Sequence, residues 1–112
     1  MTSGLERYDR QVLLRDIGEE GQRRLLDSTV LLLGCGALGS VVADLLSRAG
    51  VGHLVIVDRD VVEVTNLQRQ LLFDERDAAD GLPKAEAARR RIASINSGIR
   101  VTAVVDNIDH ST

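Results

Sequence analysis

Residues 34–39 read Gly-Cys-Gly-Ala-Leu-Gly, a G-x-G-x-x-G spacing whose chemistry is the binding of an anion. Gly34 permits a tight turn, Gly36 lets a phosphate approach the backbone, and Gly39 lets a following helix pack closely on the preceding strand. The free N–H groups and partial positive charge at the start of that helix then face the anion. The same spacing can also build a tight turn that holds no ligand, so its companions matter. Asp58 is the first of them. It stands about 20 residues beyond the glycines, at the end of an apolar run, where a carboxylate accepts hydrogen bonds from ribose hydroxyls. Glycines plus Asp58, taken alone, suit an NAD-dependent oxidoreductase.

The following segment favours a triphosphate. Asp60, Asn66, Arg69 and Gln70 come at once after Asp58, and Lys84 opens the next helical pattern. Arginine grips phosphate through two donors and lysine supplies a compact charge, so the pair can oppose negative charge growing on a leaving pyrophosphate. Either cation considered singly reads as an ordinary solvated charge; their combination behind a glycine loop carries the argument. Cys35 reads mainly as a small filler of that loop, the alternative being a thiolate activated at a helix N-terminus.

Positioning these groups requires a strand, a turn and a helix in immediate succession. Thr29–Leu33 is a continuous apolar run that predicts a strand buried on both faces. Residues 37–49 place Leu38, Val41, Val42, Leu45 and Leu46 at helical spacing and stop at Gly50. A second buried strand is predicted over 53–57, which completes a βαβ unit with a right-handed crossover. Residues 60–81 lose periodicity and read as a long loop or broken helical stretch, and loops of that length in compact domains are usually functional or disordered. Residues 83–96 predict a helix with Ala85, Ala88, Ile92 and Ile95 inward and Arg89, Arg90 and Arg91 solvated, and a third strand follows over 100–106. Ahead of all this, residues 6–14 mix charged and apolar types, and 18–27 suggest a short amphipathic helix. The expected fold is α/β: a Rossmann-like parallel sheet with flanking helices, one half of a doubly wound sheet, cut off where the second half should begin.

Composition agrees with one soluble domain. The 112 residues are 44% hydrophobic and 28% charged with net charge −3, too apolar for disorder and without the basic footprint of a nucleic-acid binder. One Tyr, one Phe and no Trp leave few surfaces for stacking bases. A polar start, the absence of a bilayer-length apolar run and a single cysteine point to a cytoplasmic chain that neither spans a membrane nor builds a multi-cysteine metal site.

The ordered set formed by residues 7–11 (Arg-Tyr-Asp-Arg-Gln), the glycine loop through Ser40, residues 49–52 (Ala-Gly-Val-Gly), Asp58 with Asp60, residues 65–70 (Thr-Asn-Leu-Gln-Arg-Gln) and Lys84 resembles the signature of the ThiF/MoeB/HesA family, relatives of ubiquitin-activating (E1) enzymes. The glycine pattern is weakly specific, whereas the Asn-Leu-Gln-Arg-Gln segment in register with it is highly specific. The resemblance implies ATP-dependent adenylation of the C-terminal glycine of a ubiquitin-like sulfur-carrier protein of the ThiS or MoaD type. It implies Asp58 on the ribose, and Asn66, Arg69 and Lys84 on the phosphates. By the same likeness Asp60, the second acid of a D-x-D pattern, orders the phosphate loop, and Arg10 reaches the partner's site in a homodimer. It also implies that residues 1–112 are the N-terminal part of the adenylation domain, inactive alone. The Mg2+-binding aspartate and any structural Zn2+ cysteines would lie beyond them, and His53 and His110 are no substitutes. Cys35, Ala37 and Thr65 depart from the common pattern without removing a needed donor. A non-catalytic binding module with the same fold remains the third alternative beside the adenylating enzyme and the oxidoreductase.

Overall fold

The computed structural model describes residues 5–106. A single 3-10 turn (Glu6–Tyr8) leads into α1 (Asp9–Val12) and α2 (Gly18–Leu26), after which the chain runs β1 (Thr29–Leu33), α3 (Ala37–Ala49) and β2 (His53–Val57). A second 3-10 turn (Val64–Asn66) and the short α4 (Glu75–Ala79) occupy the stretch that lacked periodicity in the sequence. Helix α5 (Lys84–Ile95) and β3 (Arg100–Val104) follow, the strand ending two residues earlier than expected. His110 lies outside the described residues. No helix among these is long and apolar enough to cross a membrane.

All strand pairs are parallel, in the order β1-β2-β3, with Leu31 opposite Val55 and Val55 opposite Thr102. Each crossover steps one strand in the same direction, and right-handed crossovers of that kind deliver their helices to the same face. Leu54, Ile56, Val101 and Ala103 therefore share a core with Ala43, Ala85, Ala88 and Ile92 from α3 and α5. The expectation that β1 is buried on both faces is corrected by the same geometry. Leu31 and Leu33, pointing away from the helices, are each 56% exposed, because both crossover helices cover the opposite face and β1 is an edge strand. Leu38 and Leu45 on α3 extend this apolar border.

Polar side chains lock the N-terminal segment onto the far ends of two helices. A helix leaves its last carbonyls without intrahelical partners. At the end of α3, the Ala49 carbonyl accepts from Gln11 Nε2 (2.7 Å) and Gln22 Nε2 (3.0 Å), and the Ser47 carbonyl accepts from Asn96 Nδ2 (2.8 Å). The same Asn96 amide donates to the Tyr8 hydroxyl at 2.9 Å. Gly50 adopts φ +93°, and a Cβ there would stand 2.7 Å from the Tyr8 ring, so glycine is required twice over. Much of the quoted signature, Tyr8, Gln11 and Gly50 included, is thus architecture.

Candidate functional site

The site forms at the carboxyl ends of the strands, the usual location of ligands in open α/β sheets. Gly34 ends β1 with φ +102°, the left-handed region that glycine enters without a Cβ penalty. A Cβ on Gly39 would lie 2.4 Å from the Gly34 carbonyl oxygen, whereas one on Gly36 would meet nothing within 4 Å. The three glycines therefore divide the work as their spacing predicted: turn, open approach and close packing.

Asp58 follows β2 and is 7% exposed. Its Oδ2 accepts the Cys35 backbone N–H at 2.7 Å and its Oδ1 accepts the Asp60 backbone N–H at 2.8 Å. The Asp60 carbonyl in turn accepts the Lys84 backbone N–H at 2.8 Å, where α5 begins, with Pro83 as its N-cap. Asp60 thus orders the local backbone through its main chain, while its own carboxylate is exposed and 3.9 Å from the Arg59 guanidinium.

A cleft of about 450 Å³ opens between Asp60, Glu63, Asn66 and Lys84, with Arg59 and Val61 completing its wall. Asn66 is buried, and its Oδ1 accepts the Glu63 backbone N–H at 2.8 Å. That bond fixes the amide orientation and leaves Nδ2, with its two donors, for the cleft. Lys84 is only 8% exposed, and its ammonium has neither an ion-pair nor a hydrogen-bond partner among the described residues. A lysine side chain this largely buried is ordinarily paired, so one whose ammonium opens unpaired on a cleft offers a place for an anion.

Arg69 and Gln70 are arranged differently. Arg69 is exposed and donates from Nη1 to the Thr65 carbonyl at 3.0 Å, one turn back, away from the residues that line the cleft. Gln70 is buried, with Oε1 the one enclosed side-chain polar atom among the described residues that lacks a partner. Arg10 is exposed on α1, beside Gln11, which is bonded to the end of α3. Since α3 has 13 residues and is about 20 Å long, Arg10 and the glycine loop stand at opposite ends of that helix within this chain. Arg59 and Glu63 line the cleft unforeseen; their position within the same segment as Asp60 and Asn66 was the available signal.

Burial pushes the Cys35 thiol up to about 11, with a weaker lowering from the Ser40 hydroxyl. At 1% exposure it is a neutral filler rather than a nucleophile. No group of three or more His, Cys, Asp or Glu among the described residues is arranged to hold a metal ion.

The ThiF family matches residues 8–112. The chain belongs to the ThiF family. It is 49% identical over 102 residues to the sulfur carrier protein ThiS adenylyltransferase of Bacillus subtilis (strain 168), covering 91% of this chain and 30% of that protein. It is 47% identical over 103 residues to the molybdopterin-synthase adenylyltransferase of Salmonella typhimurium, covering 92% of this chain and 41% of that one. Among solved structures, PaaA superposes with TM-score 0.87 at 32% identity, covering 97% of this chain and 35% of its own. E. coli MccB with ATP superposes at TM-score 0.83 and 33% identity, covering 96% and 32%. This ThiF-family chain thus spans about a third of the length of the proteins it matches.

Proposed function

We propose that this ThiF-family chain is the nucleotide-binding part of an enzyme that adenylates the C-terminal glycine carboxylate of a ubiquitin-like sulfur-carrier protein. A carboxylate oxygen attacks the α-phosphorus of ATP, and the bond to the bridging oxygen breaks to release pyrophosphate. The observation that carries the reading is the Lys84 ammonium, borne on a largely buried side chain yet opening unpaired on the same cleft as Nδ2 of Asn66. Two donors of this kind, fixed before the ligand arrives, bind phosphate and oppose the charge that grows on the departing pyrophosphate. Asp58, with lone pairs left over on both oxygens, holds the ribose hydroxyls. Arg69 releases the Thr65 carbonyl and swings to the phosphates.

In this reading the enzyme is a cytoplasmic homodimer, and Arg10 serves the partner's site, since its own glycine loop lies at the other end of α3. Magnesium accompanies the nucleotide, and its protein ligand, like any structural zinc, belongs to residues other than 5–106. The test is exchange of labelled pyrophosphate into ATP by the whole protein. Exchange that requires a glycine-terminated carrier is expected. Carrier binding with no ATP consumption would instead establish a non-catalytic module.

A further inference from the structure

Asp58 does more in this fold than a ribose contact requires. The peptide group that precedes it is fixed at both its ends: the Gly34 N–H donates to the Val57 carbonyl (2.8 Å) and the Asp58 N–H to the Val104 carbonyl (3.0 Å). From that fixed point the carboxylate reaches both walls of the site. One oxygen holds the glycine loop at Cys35, and the other holds Asp60, whose carbonyl receives the first N–H of α5 at Lys84. A single side chain therefore joins the loop that faces the phosphates to the helix start that carries the phosphate-binding cation. A carboxylate is the one side-chain group that accepts at two oxygens without presenting a donor to either N–H.

We infer that Asp58 is a positioning residue for the phosphate end of the site, acting through Cys35 and Lys84, and that its contribution to affinity persists when the ribose hydroxyls are removed from the ligand. The inference rests on the nucleotide-binding reading above and deepens it. An amide in place of the carboxylate satisfies one N–H and turns its own NH2 toward the other, so the glycine loop and the start of α5 lose their common anchor.

The experiment is a two-by-two comparison by calorimetry on the whole protein: wild type and Asp58→Asn, each with ATP and with 2′,3′-dideoxy-ATP. If Asp58 positions the phosphate site, Asp58→Asn weakens dideoxy-ATP roughly tenfold or more, although no hydroxyl is there to be lost. If it only reads ribose, the substitution costs nothing against the dideoxy nucleotide, and the inference is overturned while the nucleotide site stands. A wild-type protein that binds neither nucleotide would overturn the function proposed above instead. Amide exchange of the nucleotide-free wild type covers the case in which Asp58→Asn does not fold. Slow exchange at both Cys35 and Asp60 is expected, and exchange of either at the rate of an open loop would remove the anchor from the argument.

Discussion

Replacing Lys84 with Met separates what the residue does for the fold from what it does for a ligand, because the two effects have opposite signs. The side chain is 8% exposed and its ammonium has no carboxylate partner among the described residues. Holding a charge at the mouth of a cleft without a partner desolvates it in part, a cost that a methionine of similar length does not incur. Asp60 and Glu63 on the same cleft offset part of that cost through their field, so Lys84→Met should stabilise the nucleotide-free protein by about 1–2 kcal/mol. Against ATP the sign reverses. Losing one charge-assisted hydrogen bond costs about 1.5–3 kcal/mol, or roughly tenfold to a hundredfold in Kd. The loss should sit at the upper end, since Arg59 then remains as the cation lining a cleft that also holds two carboxylates. Urea unfolding without nucleotide and calorimetry with ATP read the two terms separately. A variant that is less stable when empty, or that binds ATP as tightly as wild type, would show that Lys84 is a structural cation and that the cleft is not a phosphate site.

Asn66→Asp keeps the acceptor for the Glu63 N–H and replaces the free amide donor with a carboxylate oxygen, so the empty protein should unfold at nearly the wild-type urea concentration while ATP binding falls at least tenfold; comparable losses in both would refute the assigned orientation. If the whole protein is the homodimer proposed above, Arg10→Ala and Lys84→Met homodimers should both be defective, whereas mixed dimers should regain one working site in pyrophosphate exchange, and no recovery would remove Arg10 from the partner's site. The Cys35 thiol is pushed from an ordinary 9.0 to about 11, so its proton is held more tightly in the folded state. The associated stability is complete below pH 9 and is lost as pH rises through 11, an effect of about 2–3 kcal/mol in the difference between wild type and Cys35→Ala, read by unfolding at several pH values.

The parts of this fold that local pattern controls were legible in the sequence. Thr29–Leu33, the glycine turn and Ala37–Ala49 succeed one another because apolar period and glycine placement are properties of neighbouring residues. The place of Lys84 at a helix start was legible because Pro83 and the alanine stripe announce one. The open face of β1 was not legible, since it depends on how two crossovers stack rather than on the composition of the run. Nor was the separation of Arg69 from Lys84, which turns on the Thr65 carbonyl capturing one guanidinium. Asp58 stood out in the sequence by its place after an apolar run, but its bonds to Cys35 and Asp60 depend on backbone geometry that no residue type encodes. The links among Tyr8, Gln11, Gln22 and Asn96 escaped for a different reason: isolated polar residues far apart in the chain have no period.

The Tyr8 hydroxyl and the Asn96 amide that meet at the end of α3 are 88 residues apart. During synthesis the first of these partners leaves the ribosome long before the second exists. At about 5–20 residues per second the delay is roughly 4–18 s, far longer than a helix or hairpin needs to form. For that interval Tyr8 and the N-terminal segment lack half of their docking site, although β1, α3 and β2 can already be assembling. Closure of the N-terminal segment over the ends of α3 and α5 is consequently a late event in folding, and a protease added during translation should cut within residues 5–16 until Asn96 has emerged.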